Sequence, residues 1–208
     1  MKITVVRHLE AGPAESDVDR QLIPQYQDTL DTFKRTVRGT DQYGMASYFS
    51  HAFVSPYVRT RQTLEILNGT YGLAFESTDL RESAHSGYGV DARLHGKLLT
   101  SEESVFECKD RVHRFLGTLS RMEGVTSALV VTHGDVVNAF RWCLEGLTFE
   151  QFVALYADPI NFIGFGHVLK FDTSVNTMDS YDGVSGALKF SKVVHAPFGG
   201  SVAMSRLS

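Results

Sequence analysis

Met1-Lys2-Ile3-Thr4-Val5-Val6-Arg7-His8 opens the chain and decides how the rest is read. The run from Ile3 to Val6 is short, apolar and β-branched, which suits a buried strand and is too brief for a helix. It ends abruptly in two polar residues, Arg7 and His8. In an open α/β sheet, ligands occupy the crevice outside the carboxyl ends of the strands. Arginine followed by histidine at that place offers a fork for an anion beside a titratable nucleophile or base. Alone, the pair reads more readily as solvated loop residues. Three later stretches reverse that reading.

A second strand of the same design lies at Thr126 to Thr132, with Ala128-Leu129-Val130-Val131 at its centre, and it too ends in polar residues, His133-Gly134. A helix follows through Val136, Val137, Phe140 and Leu144, and Gly146 stops it. Between the two strands, apolar residues at Leu22, Tyr26, Leu30, Phe33 and Val37 predict an amphipathic helix, with Pro24 in its first turn and Gly39 just past its end. Residues 48–54 read as a strand that runs into Ser55-Pro56-Tyr57-Val58-Arg59. A helix through Gln62, Leu64 and Leu67 then stops at Asn68-Gly69, and a weaker strand lies near Leu73 to Ser77.

Asp79 to Leu99 has no clean period and carries Leu80-Arg81-Glu82 and the polar group Arg93, His95 and Lys97. A loop of that length in a compact domain points to function. Thr100-Ser101-Glu102-Glu103 reads as a capping box opening a long helix, whose buried stripe is Val105, Cys108, Val112, Phe115, Leu119 and Met122. Thr148-Phe149-Glu150-Gln151 caps a shorter helix. Phe162 to Phe171 and Ala187 to Val194 read as final strands, a hairpin-like pair joined by the polar segment 172–186. Strands alternating with helices, without repeat or linker, predict one α/β domain.

Composition narrows the function. A chain of 208 residues, 43% hydrophobic and 21% charged, is an ordinary globule with room for a full core. A formal charge of −4 with mixed signs gives no electrostatic reason to bind nucleic acid or an anionic membrane. Two cysteines, Cys108 and Cys143, make no metal framework and no case for an oxidising compartment. The N-terminus does not read as a signal peptide, and no apolar run approaches the ~20 residues of a membrane span, so a cytoplasmic protein is expected. The sequence leaves a homodimer open.

The ordered set Arg7-His8, Ser55-Pro56-x-x-Arg59-x-x-Gln62-Thr63, Leu80-Arg81-Glu82 and Thr132-His133-Gly134 resembles the histidine phosphatase superfamily, which includes phosphoglycerate mutases and many small-molecule phosphatases. The resemblance runs from residue 1 to about 170. Any one motif is weak, but four in order are specific. It implies a three-layer α/β/α sandwich with a mostly parallel central sheet. The domain is expected to span 1–195, and the exposed-looking composition from Ala196 onward reads as a C-terminal tail or lid at 196–208. The resemblance also implies that His8 takes the phosphoryl group, that Arg7, Arg59 and His133 line the phosphate pocket, and that Glu82 is the proton donor. The partner implied is a small-molecule phosphate ester.

These residue types suit that chemistry. A histidine attacks phosphorus only when neutral, and neighbouring guanidiniums disfavour the imidazolium. The same guanidiniums fork onto phosphate oxygens and hold transition-state charge without a metal. A carboxylic acid protonates the leaving oxygen, and its carboxylate then activates water. No His/Cys ligand set that would require a metal is evident, so no metal and no cofactor are expected.

The chain departs from the family pattern at Leu9, where glycine is usual, and at Ala11 and Ala14, where threonine and asparagine are usual. The missing polar groups argue against mutase chemistry and favour hydrolysis. Phosphoglycerate mutase-type transfer and a degenerate phosphate-binding domain stay as alternatives. Cys108-x5-Arg114 also fits the pattern of cysteine-dependent phosphatases, but it lacks glycine and sits in a helical period, so Cys108 reads as core, as does Cys143 beside Trp142. Among the remaining candidates, His85, Arg93, His95 and Lys97 read either as contacts to the non-phosphate part of a substrate or as a solvated loop face. Asp135 is a second candidate acid, though it also suits the first turn of a helix. Arg61 and Arg81 read as partners of nearby carboxylates, and His51, His113, His167 and His195 as structural or solvated.

Overall fold

The computed structural model describes residues 1–39, 48–83, 104–158 and 161–194. Its elements are β1 (Lys2–Arg7), α1 (Gln27–Arg38), β2 (Phe49–Val54), α2 (Val58–Ile66), β3 (Tyr71–Glu76), α3 (Val105–Leu119), β4 (Ser127–Thr132), α4 (Gly134–Glu145), α5 (Phe149–Ala157), β5 (Val168–Asp172), β6 (Thr177–Tyr181) and β7 (Leu188–Val193). They form a seven-stranded sheet in the order β3-β2-β4-β1-β5-β6-β7. The pairs β3-β2, β2-β4 and β4-β1 are parallel, and β5, β6 and β7 add an antiparallel meander, so five strands run one way.

Strand alternation divides the core into two layers. Ile3, Val5, Ala128 and Val130 face one side, where they join Val112, Phe115, Val136 and Phe140 of α3 and α4. Val6, Leu129 and Val131 face the other side, with Phe33, Val37, Leu64 and Leu67 from α1 and around α2. Both sheet faces are therefore covered, which is why the middles of β1 and β4 are buried at consecutive positions instead of alternating. The result is the three-layer α/β/α sandwich.

Several boundaries differ from the sequence reading. The strand expected from Phe162 begins only at Val168, where pairing with β1 starts. Helix α1 starts only at Gln27, because Leu22 forms a β-bridge with Ala11 and Tyr26 is an exposed cap. Helix α3 is capped by Ser104 and Glu107 in a reciprocal capping box, not by Thr100 and Glu103, which lie outside the described residues. The polar segment 172–186 is no simple connection. It contains β6, whose Met178 and Ser180 are buried while their neighbours are not, a two-residue period masked by its polar composition. Residues 196–208 lie outside the described residues. Among those described, no helix is long and apolar enough to cross a membrane.

Candidate active site

The parallel strands β2, β4 and β1 end side by side, and each delivers a polar residue at its carboxyl end. The β1-β4 ladder continues one step past the strands, with the His8 amide donating to the Thr132 carbonyl at 2.9 Å. The Ser55 amide does the same to Val131 at 3.1 Å. His133 therefore sits between Ser55 and His8. Its ring lies 5.3 Å from that of His8, edge to face, and 4.9 Å from that of Tyr57.

His8 is 4% exposed. Its Nδ1 lies 2.6 Å from the Leu9 carbonyl, which can only accept, so Nδ1 carries the proton. Nε2 is left with its lone pair, and Arg59 Nε donates to it at 3.0 Å. Burial, and then the charges of Arg59 and Arg7, push the His8 pKa down to about 3. The ring is neutral over the whole physiological range.

Arg59, fully buried in the first turn of α2, is the hub of the site. Besides His8 it meets Asp17 twice, through Nη1 to the backbone carbonyl and through Nη2 to Oδ2 at 3.0 Å. Nη2 also lies 3.7 Å from Glu82 Oε2. Arg7, from β1, donates through Nη1 to the Ile163 carbonyl, and its guanidinium stacks on Phe165 at 4.2 Å. The guanidinium also packs against Gly134, where a Cβ would lie 3.4 Å from it, in ordinary contact.

Glu82 comes from the opposite direction, after a 3-10 turn at Thr78–Leu80. Two contacts fix that turn: Thr132 Oγ1 donates to the Leu80 carbonyl in a buried bond at 2.7 Å, and Arg111 Nη1 donates to the Asp79 carbonyl at 2.6 Å. Glu82 Oε2 thereby reaches 3.4 Å from His133 Nδ1. Burial, and then His8, Arg59 and Arg7, hold the His133 pKa well below its ordinary value.

The five residues Arg7, His8, Arg59, Glu82 and His133 are thus brought into one site. His85, Arg93, His95 and Lys97 lie outside the described residues. Asp135 accepts from Tyr156 Oη at 3.3 Å, in keeping with a place in the first turn of α4. Arg61 pairs with Glu76 at 3.2 Å on the surface, and Arg81 donates to the Thr78 carbonyl. His51 stacks beside Phe53 and Phe75, and His167 bonds to Ser180. Cys108 and Cys143 are buried free thiols inside helices, and burial pushes the Cys143 thiol up to about 12.

The Leu9 departure has a packing explanation. Its side chain is buried beside Phe33, directly over Gly166, where a Cβ would come within 3.1 Å of Leu9 Cδ2. Gln62 and Thr63 turn out to brace the loop that follows His8: Thr63 Oγ1 accepts from the Leu9 amide at 3.1 Å and Gln62 Oε1 from the Leu22 amide at 2.8 Å.

The sequence pattern does not single out Asp17 or Arg111. Asp17 carries no signal, being one acid among several in a polar loop. Arg111 carries one, an arginine on the buried side of α3.

Donor atoms of His8, Glu82 and His133 lie within 4.8 Å of one another, close enough in principle to share a cation. Two guanidiniums beside them set the local field against one. The same field suits an anion.

The histidine phosphatase superfamily (branch 1) family model matches residues 41–164, which is more than half of the chain and includes three of the four motifs. The fourth, Arg7-His8, lies outside the match and joins the site through the β1-β4 pairing. No curated protein matches the sequence. Among solved structures, a mycobacterial glucosyl-3-phosphoglycerate phosphatase is similar with a TM-score of 0.60 at 17% identity, over 94% of this chain and 98% of that one. A phosphoserine phosphatase from Entamoeba histolytica, in complex with 3-phosphoglyceric acid, has a TM-score of 0.59 at 16% identity, over 83% of this chain and 91% of that one. At such identities the likeness is one of fold.

Proposed function

Because the chain belongs to the histidine phosphatase superfamily and is a phosphatase by that membership, we propose that it hydrolyses a small-molecule phosphomonoester through a phosphohistidine on His8. The observation that carries this reading is His8 itself: a buried, neutral imidazole whose Nε2 lone pair faces a guanidinium.

In this reading the phosphoryl group takes over the donors of Arg59 and lies between them and Arg7, leaving Nε2 free to attack phosphorus. The P–O ester bond breaks as the N–P bond forms, and Glu82, as a carboxylic acid, protonates the departing oxygen. Glu82, now a carboxylate, takes a proton from water as that water attacks phosphorus, and the N–P bond breaks to release phosphate. Arg7, Arg59 and His133 hold the charge on the non-bridging oxygens throughout. Nothing in these steps calls for a metal or a cofactor. Residues 1–195 form the catalytic domain in this proposal.

The test is phosphate release from a panel of phosphomonoesters in EDTA, comparing wild type with His8→Ala. Release that survives EDTA and is lost in His8→Ala is the expected result, and the preferred ester then names the substrate class. Turnover that persists in His8→Ala overturns the assignment.

A further inference from the structure

We propose that Ser55 is a positioning residue that fixes the tautomer of His133, donating its hydroxyl proton to Nε2 so that Nδ1–H points at the phosphoryl oxygens. The proposal rests on the phosphatase reading above for its catalytic meaning, but the tautomer itself follows from hydrogen-bond accounting.

Ser55 Oγ lies 2.8 Å from His133 Nε2, and neither residue has any exposure. Ser55 cannot drift, because its amide is tied to Val131 and its carbonyl accepts from Thr60 Oγ1 at 2.8 Å. Among the described residues its hydroxyl meets no partner besides His133. A hydroxyl has one proton to place, and a buried O–H without an acceptor is strongly disfavoured. Were the ring N–H to donate to Oγ, the hydroxyl proton would have nowhere to go. The hydroxyl therefore donates, and Nε2 accepts.

A neutral imidazole carries a single N–H, which must then be on Nδ1. That nitrogen is buried and makes no hydrogen bond among the described residues, with Glu82 Oε2 standing 3.4 Å away. A buried donor in this position, beside Arg7 and Arg59, suits an anion's oxygen. The opposite tautomer would turn a lone pair toward the phosphoryl group and repel it. Ser55 thus decides whether His133 attracts or opposes the substrate, without touching it.

The first experiment is nitrogen NMR on the wild type labelled in histidine, with the His133 ring assigned by its loss in His133→Gln. Nδ1 is expected at a protonated shift and Nε2 at an unprotonated one. The reverse assignment overturns the proposal.

In Ser55→Ala the ring is expected to shift toward the Nε2–H form, while affinity for inorganic phosphate falls about tenfold. Ser55→Thr, which restores a hydroxyl, is expected to restore both. A Ser55→Ala protein with the wild-type tautomer and wild-type phosphate affinity also overturns the proposal. The tautomer is read without turnover, so a wild type that holds Nδ1–H yet hydrolyses no ester counts against the catalytic reading and for the tautomer assignment.

Discussion

The carboxylate of Asp17 lies 3.0 Å from Nη2 of Arg59, the guanidinium proposed to receive the substrate's phosphoryl group. The backbone carbonyl of Asp17 takes Nη1, and His8 takes Nε, so every face of the fork is engaged within the chain. Asp17 is itself half exposed and has a second partner in Arg20 at 3.5 Å, to which it can retreat. In the proposed reading, it holds the guanidinium edge that a phosphate oxygen would take.

Removing that internal competitor should strengthen anion binding. Competition for one guanidinium lowers the apparent affinity for any phosphate by the fraction of molecules in which Arg59 is available. In Asp17→Ala the inhibition constant of inorganic phosphate and KM are expected to fall about fivefold, with kcat changed less than about twofold. Steady-state kinetics with phosphate as product inhibitor measures this. A weaker phosphate affinity would instead make Asp17 an orienting partner of Arg59.

Glu82 should matter in proportion to how badly the leaving oxygen needs a proton. In Glu82→Gln, turnover of an alkyl phosphate is expected to drop by about a hundredfold. Turnover of an aryl ester with an acidic phenol should drop far less in its first step. Equal losses on both esters would remove Glu82 from the role of acid. Arg111→Met, which releases the turn that carries Glu82, should show the same leaving-group dependence in weaker form.

Stability should fall with acid in a defined window. His8 and His167 have folded pKa values of about 3, against 6.5 when unfolded, and His133 is lowered as well. Below pH 6.5 the unfolded chain binds protons that the folded chain refuses, so unfolding gains ground as pH drops from 6.5 toward 3. His167 lies outside the proposed phosphate site, and its ring bonds to Ser180. Replacing it with Gln should reduce the slope of stability against pH in that window, measured by urea midpoints. An unchanged slope would show that His167 titrates normally.

Gly183 supports His8 from a distance. A Cβ there would lie 1.7 Å from the Gly166 carbonyl oxygen, an overlap with backbone that no rotamer relieves. Gly166 in turn donates its amide to the His8 carbonyl at 3.1 Å. Gly183→Ala is expected to destabilise the protein by roughly 3 kcal/mol and to lower activity in whatever fraction remains folded. Thermal unfolding followed alongside phosphate release tests both.

Local pattern in the chain suffices for the central sheet and for the two strand ends that carry histidine. Ile3 to Val6, with its β-branched side chains, and Ala128 to Val131, apolar throughout, are buried at every position because both sheet faces are covered, and such runs are legible without coordinates. The order of the four motifs likewise marks which residues to gather: Arg7, His8, Arg59, Glu82 and His133. Strand β6 stays hidden, because half of its residues are polar and its period of two is short. Asp17, Ser55 and Arg111 acquire their roles only through contacts across 42, 78 and 32 residues of chain. A carboxylate in a loop, a serine before a proline and an arginine in a helix carry no local mark of what they will face. Local periodicity reports burial, whereas a hydrogen-bond partner is chosen by tertiary packing, and that choice gives this site its neutral imidazole and its occupied guanidinium.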